Sequence, residues 1–154
     1  MDPFMQAAIA EAKKGLGEGG IPIGSVLVRD GKIIGRGHNR RVQENNPMKH
    51  AEIDCLINAG RVGNYLDTVL YSTLMPCYLC AGAAVQFNIP RVVVGEARTF
   101  PGAEKFMHEH EVEVINLDLK ECVEMMKEFI QKKPELWYED IGGQCPGSFK
   151  NQDS

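Results

Sequence analysis

The sequence predicts an α/β fold, in which a mixed sheet carries helices on both faces. Two observations indicate this fold. Segments with helical periodicity alternate with short runs rich in β-branched residues along most of the chain, as expected for a sheet covered by helices. Near the start, Asp30 and Gly31 separate two apolar runs, which is a strong hairpin signal. A hairpin pairs its strands antiparallel, whereas strands joined by helices commonly pair in parallel, so a mixed sheet is expected.

Composition limits the classes of function. The 154 residues fit one compact domain with its own hydrophobic core, and the net charge of -4 argues against a nucleic-acid partner, because an acidic surface repels phosphates. No apolar run approaches the ~20 residues of a membrane span, so no membrane partner is expected. The first residues lack the apolar region of a signal peptide. Five unevenly spread cysteines argue against a disulfide framework and favour the reducing cytoplasm.

The first elements are a helix and a hairpin. The helix is predicted over PFMQAAIAEAKKGL, residues 3–16, where apolar residues recur at helical spacing and Gly15 and Gly17 end the run. Residues 21–39, IPIGSVLVRDGKIIGRGHN, are predicted to form two strands around the Asp30-Gly31 turn.

The middle of the chain alternates between helix and strand. A helix is predicted from about His50 to Gly60, followed by the β-branched strand DTVLYSTL, residues 67–74. The next helix, PCYLCAGAAVQFNI over residues 76–89, begins with a proline, which is preorganised for a first helical turn. PRVVVGEA, residues 90–97, has the apolar composition of a buried strand.

The last third continues this alternation. A short helix is predicted over AEKFMHEH, residues 103–110, then the strand VEVINL and the amphipathic helix LKECVEMMKEFIQKK, residues 119–133. PELWYEDIGG, residues 134–143, is predicted as a last short helix. Residues 144–154 have no apolar face, so we expect a poorly ordered tail after a domain formed by residues 1–143.

Two short motifs suggest a metal site. KHAEID contains His50 and Glu52, and LMPCYLCAG contains Cys77 and Cys80. One histidine and two thiolates can supply the three protein ligands of a catalytic zinc, which keeps a fourth position for water. Cysteines three apart share a helix face, and the first turn of a helix lowers thiol pKa values. The motifs therefore predict one zinc ion bound by His50, Cys77 and Cys80, with its water as the nucleophile.

The spacing of His50 and Glu52 adds a second expectation. Residues two apart in a regular helix point about 200° away from each other, since a turn has ~3.6 residues. Both reach one pocket only if His50 stands at the helix entrance with non-helical torsions. Glu52 would then lie beside the metal without binding it, in a position to move protons. Each residue alone could be structural, but HxE followed by PCxxC is the signature of zinc nucleobase deaminases.

A family resemblance extends beyond this signature. GGIPIGSVLV, GRGHN, HAEID, YSTLMPCYLCAGA, RVVVGE, EKF and PELWYEDIG occur in the order and spacing of the cytidine deaminase superfamily. Within it, the chain most resembles the small fungal-type cytosine deaminases, over about residues 4–143. The resemblance implies a three-layer α/β/α sandwich around a five-stranded mixed sheet. It also implies a homodimer with one zinc per subunit and hydrolytic release of ammonia from a free amino-pyrimidine.

The resemblance implies substrate contacts as well. Asn39 would hydrogen-bond the ring, and the backbone of Ala51 would meet the ring carbonyl. Asp140 would accept a hydrogen bond from the exocyclic amine or a ring N–H. Phe100 and Trp137 would cover the ring and exclude water.

Several alternatives remain open. Met75 stands where fungal-type enzymes have a small polar residue, which leaves cytosine, isocytosine and guanine all possible as substrates. Deaminases of tRNA adenosine share HAE and PCxxC, but that function needs a basic surface. A non-catalytic dimeric binding module is a further alternative, and the presence of Glu52 with all three ligands argues against it.

Overall fold

The computed structural model describes residues 1–143, so the tail predicted for residues 144–154 lies outside the described residues. Six helices are described: α1 Pro3–Gly17, α2 Ala51–Ala59, α3 Tyr78–Gln86, α4 Glu104–Glu109, α5 Lys120–Lys132 and α6 Pro134–Asp140. Five strands accompany them: β1 Gly24–Arg29, β2 Lys32–His38, β3 Thr68–Ser72, β4 Arg91–Val94 and β5 Glu113–Asn116. Within residues 1–143, no helix has the length and apolar character that crossing a membrane requires.

The strands form one mixed sheet in the order β2-β1-β3-β4-β5. β1 is antiparallel to both β2 and β3, whereas β4 is parallel to both β3 and β5. The predicted hairpin turn is present, with positive φ angles of 51° at Asp30 and 71° at Gly31. Asp and Gly tolerate this left-handed region, which two-residue hairpin turns require. The mixed sheet of five strands is confirmed.

Helices cover both faces of the sheet and make three layers. On one face, Val26 and Val28 of β1 pack with Met5 of α1, and Val93 of β4 belongs to the same cluster as Cys122 of α5. On the other face, Leu27 points towards α2, α3 and α4. Since side chains alternate along a strand, one apolar strand can serve both layers. The three-layer α/β/α expectation is confirmed.

The first helix is longer than its glycines suggested. α1 continues through Gly15 to Gly17, so the expectation that Gly15 helps to end it is wrong. Gly15 is required by packing: a Cβ atom at this position would lie 2.9 Å from Cδ2 of the buried His38 ring. The missing side chain lets α1 approach the end of β2.

The sheet brings three strand ends to one edge. Gly24 at the start of β1 pairs with His38 at the end of β2, and Ser25 pairs with Ser72 at the end of β3. The segments that leave β2 and β3 therefore begin side by side. They lead to Asn39 and Cys77, so this edge is where the predicted site residues can meet.

Candidate active site

Three potential metal ligands meet where α2 and α3 begin. His50 and Cys77 are the residues that precede the two helices, with extended torsions of φ -66°, ψ 161° and φ -73°, ψ 179°. Cys80 lies in the first turn of α3 and is fully buried. The ligand atoms of the three residues all lie within 4.8 Å of one another, and His50 Nδ1 is 3.5 Å from Cys77 Sγ. The non-helical torsions expected for His50 are confirmed, and one cation can contact all three side chains.

The charges of this ligand cluster (His50, Cys77 and Cys80) suit a divalent cation. Hydrogen bonds from Cys80 and His50 lower the pKa of Cys77 to about 4 against the effect of burial. Burial, together with the neighbouring Cys77, raises the pKa of Cys80 well above its ordinary value. Burial disfavours a charged His50, but contacts with Cys77 and Asp140 raise its pKa to about 9. The protein alone thus supports one thiolate, and a divalent cation would stabilise the second. Two thiolates and an imidazole form a common zinc donor set, so these residues fit zinc.

Glu52 lies in the first turn of α2 and is 4% exposed. Burial raises its pKa to about 7, and the charge of Cys77 adds to that effect. A carboxyl group with a pKa near neutrality can both accept and return protons. Glu52 is not part of the ligand cluster, and it lines the cavity together with His50 and Cys77.

A small cavity adjoins the ligand cluster. The predicted site residues that line it are Asn39, His50, Ala51, Glu52, Cys77, Phe100, Trp137 and Asp140. Cys80, the ninth predicted residue, is buried in α3 and meets the others through the ligand cluster. The structure therefore brings all nine together.

Sequence reasoning missed part of the apolar wall. Ile23, Leu74 and Ile141 also line the cavity, as does Met75. Ile141 follows Trp137 by four residues, the spacing that places two residues on one helix face, so this signal could have identified it. Ile23 and Leu74 lie just outside the ends of β1 and β3, where no local pattern marks them.

Asn39 presents a hydrogen-bond donor to the cavity. The backbone N–H of Arg41 donates to Asn39 Oδ1 at 3.1 Å, which occupies the acceptor of the amide and orients it. Asn39 Nδ2 is buried, and among residues 1–143 it has no hydrogen-bond partner. Of the donor and acceptor expected from this amide, the donor is the one available. It can bind an acceptor such as a ring carbonyl.

Asp140 presents an acceptor to the same cavity. Its Oδ1 lies 3.2 Å from His50 Nε2 and 3.4 Å from Arg41 Nε, and its side chain is 4% exposed. Neither contact has hydrogen-bond geometry, so this buried oxygen has no hydrogen-bond partner in the described part of the chain. Burial raises the pKa of Asp140, while the charges of His50 and Arg41 and the nearby Asn39 side chain oppose that shift. The carboxylate can accept from a bound amine and also orient the ring of His50.

Two aromatic rings close the cavity. Phe100 and Trp137 meet edge to face, with centroids 5.9 Å apart and planes at 84°. Trp137 of α6 is 4% exposed and belongs to an apolar cluster with Ile23, Ala51 and Leu74. We call α6 the lid, because it supplies both Trp137 and Asp140 to the cavity. A closed, dry site strengthens every charge interaction within it.

Comparisons with known proteins agree with this geometry. Residues 1–96 match the family model for the cytidine and deoxycytidylate deaminase zinc-binding region. A cytosine deaminase of Candida albicans is 45% identical over 141 residues, which cover 90% of this chain and 94% of that protein. A tRNA-specific adenosine deaminase of Streptococcus pyogenes is 39% identical over 144 residues, covering 86% of this chain and 91% of that protein.

Solved structures with the same fold include deaminases of two kinds. A structure from studies of A-to-I editing by tRNA:A34 deaminases superposes with a TM-score of 0.71 at 29% identity, covering 81% of this chain and 99% of that one. The guanine deaminase of Bacillus subtilis superposes with a TM-score of 0.58 at 25% identity, covering 84% and 93%. The matched family model and the 45% identical relative show the family of this chain. It belongs to the cytidine and deoxycytidylate deaminase family, zinc-dependent enzymes that hydrolyse a carbon–nitrogen bond.

Proposed function

We propose that this protein deaminates a free amino-pyrimidine base of the cytosine or isocytosine type and releases ammonia. The observation that carries the proposal is a pair of buried cavity atoms, the donor Asn39 Nδ2 and the acceptor Asp140 Oδ1, for which residues 1–143 supply no hydrogen-bond partner. Cytosine and isocytosine both present a carbonyl and an amine on either side of one ring nitrogen, which matches such a pair. The 45% identical cytosine deaminase, similar over nearly its whole length, supports this choice.

Each polar group of the cavity has a partner on the base. Asn39 Nδ2 donates to the ring carbonyl. The backbone N–H of Ala51 lies in the first turn of α2, where such groups have no partner within the helix, and it donates to the same carbonyl. Asp140 accepts from the exocyclic amine, and Phe100 and Trp137 cover the ring. The base is thereby held with its amine-bearing carbon towards the ligand cluster.

Glu52 moves the protons of the reaction. When bound by the ligand cluster, zinc lowers the pKa of a water molecule towards neutrality. Glu52 takes a proton from the attacking water and gives it to the ring nitrogen, so that the amine-bearing carbon becomes electrophilic. A second proton passes through Glu52 to the amine, which leaves as ammonia. Base and water are thereby converted to the carbonyl product, and Glu52 returns to its starting state.

The lid favours a free base over a nucleoside. Trp137 of α6 and Ile141, which follows the helix, line the cavity, and in this proposal their side chains occupy the space that a ribose needs. The acidic net charge of -4 gives no long-range attraction for a tRNA. Residues 1–143 form the catalytic domain in this proposal, and a free-base deaminase of this kind serves pyrimidine salvage.

The assembly in this proposal is a homodimer in the reducing cytoplasm. Ile57 of α2 is 55% exposed, and Phe87 after α3 stacks on Tyr65 at 5.1 Å. Together with Ile53 and Ala83, these residues line an apolar groove between α2 and α3. A second copy of the chain would cover this α2–α3 groove, which lies on the helices that carry the ligand cluster.

The test is an ammonia-release assay on purified, zinc-loaded protein with a panel of substrates: cytosine, isocytosine, guanine, cytidine and an RNA hairpin carrying a target adenosine. We expect cytosine or isocytosine to have the highest kcat/KM. Met75→Ser serves as a matched variant, because Met75 is buried in the cavity wall at the position where fungal-type enzymes carry a small polar residue.

Two outcomes of this assay would contradict the proposal. Turnover of the RNA hairpin above that of every free base would favour tRNA adenosine deamination, the activity named for the 39% identical relative. Turnover of cytidine equal to that of cytosine would contradict the role given to the lid. If Met75→Ser prefers a different free base from the wild-type protein, residue 75 of the cavity wall determines which base is preferred.

A further inference from the structure

Arg41 contacts both Asn39 and Asp140, the two polar side chains proposed to bind the base. Its backbone N–H donates to Asn39 Oδ1 at 3.1 Å, and its side-chain Nε lies 3.4 Å from Asp140 Oδ1. The same Nε donates to the carbonyl oxygen of Pro47 at 3.1 Å, which anchors the guanidinium to the loop between β2 and α2. Arg41 itself does not line the cavity.

The Arg41 side chain is only 9% exposed, so its charge is largely removed from water. Arg cannot lose its proton in a protein, and a buried charge without a partner is costly. Its other carboxylate neighbour, Glu139, lies 3.7 Å away and is 68% exposed. Asp140 is therefore the partner that compensates the buried part of this charge.

The lid has few other ionic contacts. Within residues 1–143, the carboxylates of α6 meet cations at Arg41 and His50. His50 belongs to the ligand cluster, so a bound metal would fix its position. Arg41 is thus the cation that ties the lid to the β2–α2 loop, which also carries Asn39.

We propose that Arg41 is a positioning residue that holds Asn39 and Asp140 in register across the cavity and keeps the lid closed. The inference rests on the proposed function of this cavity. The backbone N–H of Arg41 orients the Asn39 amide, whose donor faces the base. The side chain of Arg41 holds the Asp140 carboxylate, which accepts a hydrogen bond from the base. Loss of the side chain leaves Asn39 oriented but releases Asp140 and Trp137 with the lid.

The chain contains one tryptophan, Trp137, and it lies on the lid. Acrylamide quenching of its fluorescence therefore reports lid opening without any measurement of activity. Arg41→Gln is compared with Arg40→Gln, a control that removes a neighbouring arginine of the same charge. Arg40 Nε pairs with Asp54 Oδ2 at 3.0 Å, away from the cavity, and Lys49 remains beside Asp54 at 3.3 Å.

We expect Arg41→Gln to increase the quenching of Trp137 and to lower kcat/KM for the best base about 10- to 100-fold, mainly through KM, the range for loss of a charged contact. Arg40→Gln should leave both unchanged. Arg41→Lys should show a smaller but measurable change, because lysine keeps the positive charge but lacks the guanidinium's contacts with both Pro47 and Asp140.

Equal quenching and KM in Arg41→Gln and Arg40→Gln would overturn the inference. If circular dichroism shows that Arg41→Gln does not fold, Arg41→Lys decides, and wild-type quenching and KM in that variant contradict the inference. If the wild-type protein deaminates none of the bases, the proposed function fails, whereas the quenching comparison still tests the hold on the lid.

Discussion

Replacing Asn39 with alanine separates the two roles that the structure gives this amide. Asn39 Oδ1 accepts from the backbone N–H of Arg41, whereas Nδ2 is buried at the cavity with no hydrogen-bond partner in the described part of the chain. Alanine removes both groups. Loss of Oδ1 lowers the free energy of unfolding, and loss of Nδ2 weakens binding of the base.

Each loss has an expected size. The Arg41 N–H is left without its acceptor, and an unsatisfied group of this kind costs about 1–3 kcal/mol of unfolding free energy. A base whose carbonyl keeps only the Ala51 N–H as a donor is bound more weakly by a similar amount, which corresponds to about 10- to 100-fold in kcat/KM. Urea unfolding measures the first effect, and ammonia release from cytosine measures the second.

A carbonyl-free analogue provides the control for Asn39→Ala. 4-Aminopyrimidine has the amine and ring nitrogen of cytosine but lacks the carbonyl, so its inhibition constant should change much less than the kcat/KM for cytosine. An equal loss for both compounds, or an unchanged kcat/KM for cytosine, would refute the assignment of Nδ2 to the ring carbonyl.

Three further changes test other parts of the account. Removal of the metal with a chelator should abolish ammonia release, and added zinc should restore it; full activity in metal-free protein would contradict the role of the ligand cluster. Ile57→Lys should shift the protein towards monomer in light scattering, whereas Leu16→Lys, an exposed apolar residue on α1, should not. Gly15→Ala should lower the thermal midpoint, because its Cβ would lie 2.9 Å from the His38 ring, while Gly17→Ala, with nothing within 4 Å, should not.

The sequence predicted the ligand cluster because its chemistry is local. His50 and Glu52 are two residues apart, and only a histidine that precedes the helix lets both face one cavity. The torsions of His50 have this form, with φ -66° and ψ 161°. Cys77 and Cys80 are joined by one helical turn. Donor type and spacing therefore specify each of the two motifs, and the sheet brings the motifs together.

The contacts of the lid could not be predicted in the same way. Arg41 meets Asp140 across most of the length of the chain, and no local pattern distinguishes Arg41 from its neighbour Arg40, which pairs with Asp54 instead. Gly15 illustrates the same limit. Glycine commonly ends a helix, but here a buried ring from β2 requires it inside α1. Both cases depend on which elements pack together, and local sequence does not contain that information.

The most direct test of the account compares wild-type protein with Glu52→Gln, measuring bound zinc and ammonia release from cytosine on the same samples. Glutamine keeps the shape of Glu52 but cannot carry a proton, and Glu52 is not part of the ligand cluster. We predict about one zinc per chain in both proteins and a kcat at least ~10²-fold lower in the variant, the scale of general acid–base catalysis. A variant that retains zinc and a near-native kcat would contradict the central claim that Glu52 carries the protons of a zinc-dependent deamination.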